Sequence, residues 1–450
     1  MKFRTIRGTK DILPNEAYQW QFVEATVRRI FEQFNYREIR TPMFEETALF
    51  ARSIGELTDI VSKEMYTFTD RGGTSLTLKP EMTASVIRAY IQHNLGSLAP
   101  LTKLFYISPM FRQERPQAGR LRQFHQFGAE ALGSQYPEID AEVILLALSI
   151  YKAFGIEEVT LKLNSLGCEK CRPAYKMLLQ SELRKVYNDL SPDSQHRVEE
   201  NPLRVLDSKD PQDRAATTNI PLIKDYLCTD CQTHFQELQS LLNASGIAFE
   251  IDGRLVRGLD YYTKTAFELI SSHLGSQDAL AGGGRYDLLT QELGGKPTPG
   301  IGFAAGIERL LLVLDKQKLF RGGSPQTSVF VASLGNDMIQ NAFEIARRIR
   351  LAGISAEMDF HRRSLKAQMR EADRQKVNVV VLVGGDEWAS GAVLVKDMRS
   401  GEQHNVKVAE LIEFIQQIVQ AQSDKPRDSR NESELSIQGL STKEHGTSKI

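Results

Sequence analysis

Three groups of residues carry chemistry by their type and spacing. The first is a basic hairpin, FRQERPQAGRLRQFHQFGAE, running from Phe111 to Glu130. Apolar-rich runs, Leu104 to Arg112 and Gln123 to Ala131, flank a loop that holds Pro116, Gly119, Arg115, Arg120 and Arg122. Proline and glycine between two strand-like runs mark a turn, so the stretch predicts two antiparallel strands. Strand side chains alternate, which puts Gln126, Gly128 and Glu130 on one face and His125 on the other, where packing is its role. Gly128 leaves a gap in that row, a floor on which a small molecule can rest. Four residues of strand span roughly 13 Å, so Gln126 and Glu130 can meet opposite ends of one amino-acid-sized ligand. A solvated polar face is the competing reading, and these residues alone weigh the two evenly.

The second group is glycine-rich. AGGGRYD (Ala281 to Asp287) lets a backbone come close to a ligand or another strand, and its spacing fits neither the dinucleotide nor the P-loop fingerprint. PGIGFAAGIERLLLVL runs from a strand into a helix whose apolar stripe is Ile307, Leu310, Leu311 and Leu314. Arg309 falls off that stripe in the first turn. A cation at the positive end of a helix is unfavourable unless an anion joins it, so the position points to an anionic ligand. The third group is CEKC and CTDC, which use every cysteine of the chain: Cys168, Cys171, Cys228 and Cys231. Two CxxC pairs suit a tetrahedral structural zinc site. The 56 residues between the pairs exceed the spacing of a compact zinc ribbon, and four free thiols in a reducing compartment are the alternative.

The elements that position these groups follow from length and periodicity. With 450 residues the chain needs two or three domains. Its 41% hydrophobic and 25% charged content is that of a globular protein. The N-terminus has no apolar h-region, and the longest apolar run, Val143 to Ile150, is too short to span a bilayer; a cytoplasmic address and no membrane contact follow. Net charge of −1 excludes a generally basic coat, yet residues 347 to 376 hold nine Lys/Arg against four Asp/Glu. Alone, such a run reads as a solvated helical face.

Trp20, Val23, Val27, Ile30, Phe31 and Phe34 have helical spacing over 15–34. Thr41-Pro42 follows in an extended segment that suits an edge or interface. Leu76 to Leu78 reads as a strand and Pro80 as the opening of a helix to about Leu95, which puts Glu81 and Thr83 in its first turn. There the helix dipole alone would favour a carboxylate. Residues 140–154 read as a buried helix, and 166–252, polar and broken by Pro192, Pro202, Pro211 and Pro221, as an inserted helical module. The mix of β-branched and aromatic residues over 254–270 reads as strand. From Thr327 strands and helices alternate in the pattern of a separate α/β domain with a largely parallel sheet. The tail, 422–450, is polar and is expected to be disordered.

These stretches resemble the class II aminoacyl-tRNA synthetases over about residues 1–420. The first helix with Thr41-Pro42 is similar to motif 1, FRQERPQAGRLRQF to motif 2 and GIGFAAGIERL to motif 3. RGLDYY (Arg257 to Tyr262) and GGGRYD (Gly282 to Asp287) resemble the two segments particular to the histidyl-tRNA synthetases, of the bacterial type. The resemblance implies an α+β catalytic domain with an antiparallel sheet flanked by helices over 1–325, interrupted by the 166–252 insertion. A C-terminal α/β anticodon-binding domain would occupy 326–421.

The chemistry so implied is activation of L-histidine with ATP to histidyl-adenylate, then transfer to the 3′ end of tRNA(His). Arg112, Arg257 and Arg309 are the implied catalytic residues, with Arg112 and Arg257 at the α-phosphate and Arg309 at the distal phosphates. Glu114 and Arg120 complete the ATP set, and Mg²⁺ accompanies the pyrophosphate. Glu81, Thr83 and Gln126 are implied for the α-amino group of histidine, Glu130 and Tyr262 for the imidazole, and Tyr261 for closing the pocket. The resemblance also implies a homodimer through motif 1 and turns the basic 347–376 segment into an RNA contact. The rival from another class is a synthetase-like regulatory subunit of histidine biosynthesis, which binds histidine without charging tRNA; such proteins typically lack the anticodon domain or have lost arginines that are present here. Because a site built to hydrogen-bond its substrate rejects analogues lacking those groups, no editing domain is expected in the insertion.

Overall fold

Helical periodicity in the first forty residues becomes a helix, Pro14–Gln33, opened by a proline that has no amide hydrogen to leave unpaired. Its stripe of Val23, Val27, Ile30 and Phe31 is buried, and Phe31 stacks on Phe105 with ring centroids 4.6 Å apart. The computed structural model describes residues 3–55, 58, 60–117, 119–271, 279–320 and 327–423, with side chains described to 420. The polar tail beyond 423 lies outside the described residues. The chain divides into two units, Met1–Gly322 and Gly323–Ile450. No helix among the described residues is long and apolar enough to cross a membrane.

The strands of the first unit, in chain order, are β1 (Arg37–Glu38), β2 (Phe44–Glu46), β3 (Tyr66–Thr69), β4 (Ser75–Leu78), β5 (Thr102–Phe111) and β6 (Gln123–Leu132), then β7 (Thr160–Ser165), β8 (Glu250–Ile251), β9 (Thr263–Ile270), β10 (Ala279–Arg285) and β11 (Gly300–Gly306). Eight of them form one sheet in the order β1-β5-β6-β11-β10-β9-β7-β8, and β2-β4-β3 form a small second sheet. The six central strands of the large sheet are antiparallel, and each two-residue edge strand pairs parallel to its neighbour. The basic hairpin is the β5–β6 pair, in register from Thr102 opposite Leu132 to Phe111 opposite Gln123.

Alternation decides the two faces of this sheet. Phe127, Ala129 and Ala131 of β6 join the core beneath the helices Pro14–Gln33, Pro137–Ala153, Thr229–Ala244 and Ile307–Lys316. Each fully buried aliphatic or aromatic side chain there contributes roughly 1.5–3 kcal/mol. The opposite face carries Gln126, Gly128 and Glu130, as the period of two requires. Helix Pro137–Ala153 is buried at Ile139, Val143, Ile144, Leu146, Ala147 and Ile150, in keeping with its apolar sequence.

Two local expectations change. The helix expected to begin at Pro80 begins at Thr83 and runs to Gln92, because the Glu81 carboxylate accepts the amide hydrogens of Thr83 and Ala84 at 2.7 and 2.8 Å. Glu81 is therefore a cap rather than a first-turn residue. The strand expected from Arg254 starts only at Thr263, so RGLDYY lies in the loop before β9.

In the second unit, β12 (Val329–Ser333), β13 (Ala356–Met358), β14 (Val379–Val383), β15 (Ala392–Asp397) and β16 (Gln403–Lys407) form a sheet in the order β13-β12-β14-β15-β16. Helices Ile339–Leu351 and Leu365–Arg374 provide the crossovers that parallel pairing requires. The β14–β15 and β15–β16 pairs are antiparallel, so the sheet is mixed rather than largely parallel. The difference lies in β16, a polar strand with only Val406 buried, which the apolar pattern did not reveal.

The deepest polar feature is an ion pair. Arg285 and Asp140 are both fully buried, with Arg285 Nε donating to Asp140 Oδ1 at 2.8 Å. Asp140 Oδ2 also accepts from the Thr265 hydroxyl at 2.6 Å and lies 2.8 Å from His234 Nε2. Breaking a buried pair by removing one partner leaves an uncompensated charge. Asp140→Ala is expected to lower the stability of the first unit by about 3–5 kcal/mol, read as a fall in the urea midpoint at pH 7; a fall of under about 1 kcal/mol would show that water relaxes the site.

Candidate active site

The open face of the large sheet, helix Thr83–Gln92 and the loop before β9 enclose a cavity of about 500 Å³. Glu81, Thr83, Arg112, Glu114, Arg120, Gln126, Arg257, Tyr261, Tyr262 and Arg309 all line it. The fold thus brings together residues spread over more than two hundred positions. Glu130 is the exception: it sits one layer behind the wall, against Gly302, where a β-carbon would lie 1.8 Å from its Oε2.

One end is a buried polar pocket. Glu130 is 1% exposed; it accepts a hydrogen bond from Thr83 Oγ1 at 2.8 Å and a short one from the Tyr286 hydroxyl. Tyr106, Tyr261, Tyr262 and Tyr286 are buried around it, and burial holds all four phenols above their ordinary range. Tyr106 Oη and Gln126 Oε1 are buried without a hydrogen-bond partner among the described residues, two polar atoms aimed at one cavity. Gly128 is not an open floor. A β-carbon there would stand 2.4 Å from Tyr106 Oη and 2.3 Å from the Phe303 carbonyl. The missing side chain makes room for the Tyr106 phenol, and that phenol lines the cavity in its place.

The other end is cationic. Arg112 donates from Nε to the Pro80 carbonyl at 2.8 Å and lies over the Phe124 ring. Arg120 pairs with Glu114 at 3.3 Å. Arg257 pairs with Glu268 at 3.0 Å, and its guanidinium lies where a side chain at 282 would be, with Nη2 2.0 Å from a β-carbon built on Gly282. Only glycine at 282 admits it. Arg309 donates to the Ala279 carbonyl, and burial together with Arg120 lowers its pKa. These four guanidinium groups, with that of Arg204 on the same cleft, favour a polyanion, since each is worth more where water is partly excluded. His125, on the core side as alternation requires, lies 3.0 Å from Glu308 through Nδ1 and packs edge-on against Trp20.

Sequence reasoning did not name Tyr106, Tyr286, Glu268 or the insertion residues Arg204, Asp207 and Lys209, all of which line the cavity. Tyr286 stands within the quoted GGGRYD segment, and Tyr106 faces Gly128 across the hairpin register; both signals were present. Nothing in the polar insertion marks 204–209, because only folding brings that stretch back to the sheet. Away from the cleft, the four cysteines converge: Sγ–Sγ distances are 3.9 Å for Cys168–Cys171, 3.7 Å for Cys168–Cys228 and 3.9 Å for Cys171–Cys231. All four sulfurs lie within 4.8 Å of one another.

The pattern of the family described as "Histidyl-tRNA synthetase" matches residues 8–310, and that of "Anticodon binding domain" matches 328–418. The chain belongs to the histidyl-tRNA synthetase family. A histidine–tRNA ligase of Halothermothrix orenii is 49% identical over 93% of the chain and all of the relative, and one of Chloroherpeton thalassium is 51% identical over 92% and 98%. The crystal structure of apo histidyl-tRNA synthetase from S. aureus superposes with a TM-score of 0.79 at 36% identity, covering 92% of this chain and 99% of that one. A Bacillus halodurans structure described as an ATP phosphoribosyltransferase regulatory subunit/histidyl-tRNA synthetase shares the fold, with a TM-score of 0.60 at 22% identity. Ligases half identical over nearly the whole chain, with a matched anticodon domain, favour the ligase over the regulatory subunit.

Burial pushes the Glu130 carboxyl up to about 8, outweighing the hydrogen bonds from Tyr286 and Thr83, and the charge of Glu81 adds to the rise. The folded chain therefore binds this proton more tightly than the unfolded chain, whose carboxyl titrates near 4.3. The resulting stabilisation is complete below that unfolded value and is lost as pH rises through about 8. Glu130→Gln removes the dependence, so the variant should gain on the parent in urea midpoint between about pH 5 and 8.5. A pH-independent difference would overturn the assignment.

Proposed function

We propose that the polar end of the cavity binds L-histidine, that the arginine end binds ATP, and that both substrates meet at Arg112 and Arg257. The reading rests on one observation: buried carboxyl and phenol groups and five guanidinium groups gather at a single cleft. The chain is a histidine–tRNA ligase. ATP, L-histidine and tRNA(His) give L-histidyl-tRNA(His), AMP and diphosphate.

In the first step a carboxylate oxygen of histidine attacks the α-phosphorus; the new O–P bond forms as the bond to the pyrophosphate oxygen breaks. No side chain is a nucleophile. Arg112 and Arg257 hold the α-phosphate oxygens as negative charge builds on them, and Arg309 holds the distal phosphates, so catalysis is by positioning and charge stabilisation. Glu114 and Glu308 offer carboxylate oxygens at this end of the cavity, hard donors of the kind Mg²⁺ takes with a triphosphate. In the second step the terminal ribose hydroxyl of tRNA attacks the carbonyl carbon and AMP leaves. Arg120, on the exposed motif 2 loop with Glu114, meets adenine or the tRNA end.

Glu81, Thr83 and Gln126 receive the α-ammonium group. Both Glu81 oxygens already accept one amide hydrogen each, which leaves further lone pairs for the substrate. Tyr262 pairs with the imidazole, Glu130 orders that end from behind the wall through Thr83 and Tyr286 instead of meeting the ring directly, and Tyr261 closes the pocket. An analogue lacking a ring nitrogen leaves these buried groups unpaired, and such sites reject analogues by about 10⁴–10⁵-fold.

The same reading assigns the surfaces. Met43, Phe44 and Phe68 are exposed apolar side chains in and beside β2 and β3, next to the Thr41-Pro42 segment, as a homodimer interface through motif 1 would require. In the second unit, Arg347, Arg363 and Arg374 pair with Glu344, Asp359 and Glu371; the basic 347–376 segment contacts tRNA, adding salt-dependent affinity. The four cysteines hold a structural Zn²⁺: tetrahedral Zn–S bonds of 2.3 Å require sulfur separations of about 3.8 Å, close to those found. The chain works in the cytoplasm, where thiolates stay reduced.

Arg257→Ala is expected to lower histidine-dependent pyrophosphate exchange into ATP by about 10²–10³-fold, or 2.7–4 kcal/mol, with the dimer intact by sedimentation. Exchange at near-parental rate would remove Arg257 from the transition state. Gly128→Val should displace Tyr106 and raise the KM for histidine; an unchanged KM would show that the phenol is not part of the pocket.

A further inference from the structure

The cysteine knuckles lie outside the cleft but are linked to its histidine end by short chains of hydrogen bonds. Cys171 immediately precedes helix Arg172–Lys185, and Cys231 lies in the first turn of helix Thr229–Ala244. Three sets of contacts lead from them to the pocket wall. Arg172, the residue after Cys171, donates from Nη1 to the main-chain carbonyl of Tyr262 at 2.7 Å. Gly167, the residue before Cys168, accepts the amide hydrogen of Lys264 at 2.7 Å, and the Leu166 amide returns one to the Lys264 carbonyl at 2.6 Å. Lys264 itself is in the left-handed region at φ 46°, an uncommon conformation for a residue that is not glycine. On the far side, His234 lies one helical turn after Cys231 and contacts Asp140, which pairs with Arg285. The next residue, Tyr286, donates to Glu130.

One knuckle thus grips the backbone beside Tyr262, and the other ends on the residue before Tyr286. These are two of the four phenols buried around Glu130, and Tyr286 is the one that donates to it. Of the arginines at the ATP end, Arg112 and Arg309 stand on the β5–β6 hairpin and on helix Ile307–Lys316, which none of these contacts touches, while Arg257 shares the loop of Tyr262 and is held by its own pair with Glu268.

We infer that the Cys168–Cys171–Cys228–Cys231 centre, with its metal bound, is a positioning device for the histidine pocket: it fixes Tyr262 and Tyr286 about Glu130 and leaves Arg112 and Arg309 of the ATP end unaffected. The inference rests on the zinc reading given above. Without the metal, four thiols lose their common partner, the N-terminal ends of the two helices are no longer tied together, and the Arg172–Tyr262 link is free to shift. A displacement of about 1 Å in a substrate-positioning group is enough to cost about 10²-fold. The metal acts here through residue placement and takes no part in the reaction.

The test uses the full-length protein purified without added zinc, with Cys228→Ser and Arg172→Gln variants. Metal content is measured by mass spectrometry, the histidine Kd by calorimetry and the ATP KM by pyrophosphate exchange. The parent should carry about one equivalent of zinc per chain. Arg172→Gln should keep that zinc yet weaken histidine binding at least about tenfold, with the ATP KM changed by less than about twofold. Cys228→Ser should lose the metal and show the same split; if it does not fold, Arg172→Gln decides the matter alone. Less than about a quarter equivalent of zinc in the parent would overturn the metal reading and the inference with it. A zinc-replete Arg172→Gln with unchanged histidine Kd would overturn the coupling and leave the zinc site standing. Equal losses for histidine and ATP would show general loosening, and would likewise overturn it.

Discussion

Arg285 and Asp140 carry opposite charges inside a core from which water is excluded, and much of the catalytic unit is arranged to satisfy them. Removing two ions from water is costly, and the interior returns that cost only if every donor and acceptor is met. Here they are met: Arg285 also donates to Asp287 and to the carbonyls of Ser134 and Tyr136, while Asp140 accepts from Thr265 and faces His234. With the pair itself, the network spans two strands, two helices and two connecting loops. A network that must be complete to be tolerable allows one arrangement of its elements, and that arrangement places Tyr286 against Glu130.

The same logic extends to the site. Glu130 lies buried behind the cavity wall among phenols, and so holds its proton to about pH 8. At the other end, guanidinium groups are held by a main-chain carbonyl, a carboxylate and an aromatic face in positions that leave charge turned toward the cleft. A neutral polar pocket beside a cationic one is the division of labour that amino-acid activation demands. The amino acid must be selected by shape and hydrogen bonds, and the triphosphate by charge. Glycines at 128 and 282 permit the two close approaches, one by a phenol and one by a guanidinium.

Much of this was legible before folding. The hairpin, the alternation of Gln126 and Glu130 against Phe127 and Ala129, the buried helices and the second α/β unit follow from periodicity. That signal is local and survives in a single sequence. The motif resemblance then carried ten of the cavity residues. What failed were positions where a side chain overrides a local rule. Glu81 caps the helix that Pro80 was expected to open, and RGLDYY, inside a stretch read as strand, is a loop that lines the cavity with Arg257, Leu259, Tyr261 and Tyr262. Gly128 makes room for Tyr106 across the register, which no inspection of β6 alone reveals.

By itself the sequence determined the elements, their faces and the chemistry of the groups they carry, because backbone period, proline and glycine act over a few residues. Only the tertiary structure decided which groups meet. It brought Arg204, Asp207 and Lys209 of the insertion to the cleft, and set Glu130 a layer behind the wall. It also closed the 56-residue gap between the two cysteine pairs to sulfur separations under 4 Å. The physical reason is common to all three. Distances across a chain of this length are set by the packing of a shared core, and that packing is a property of the whole unit rather than of any stretch within it.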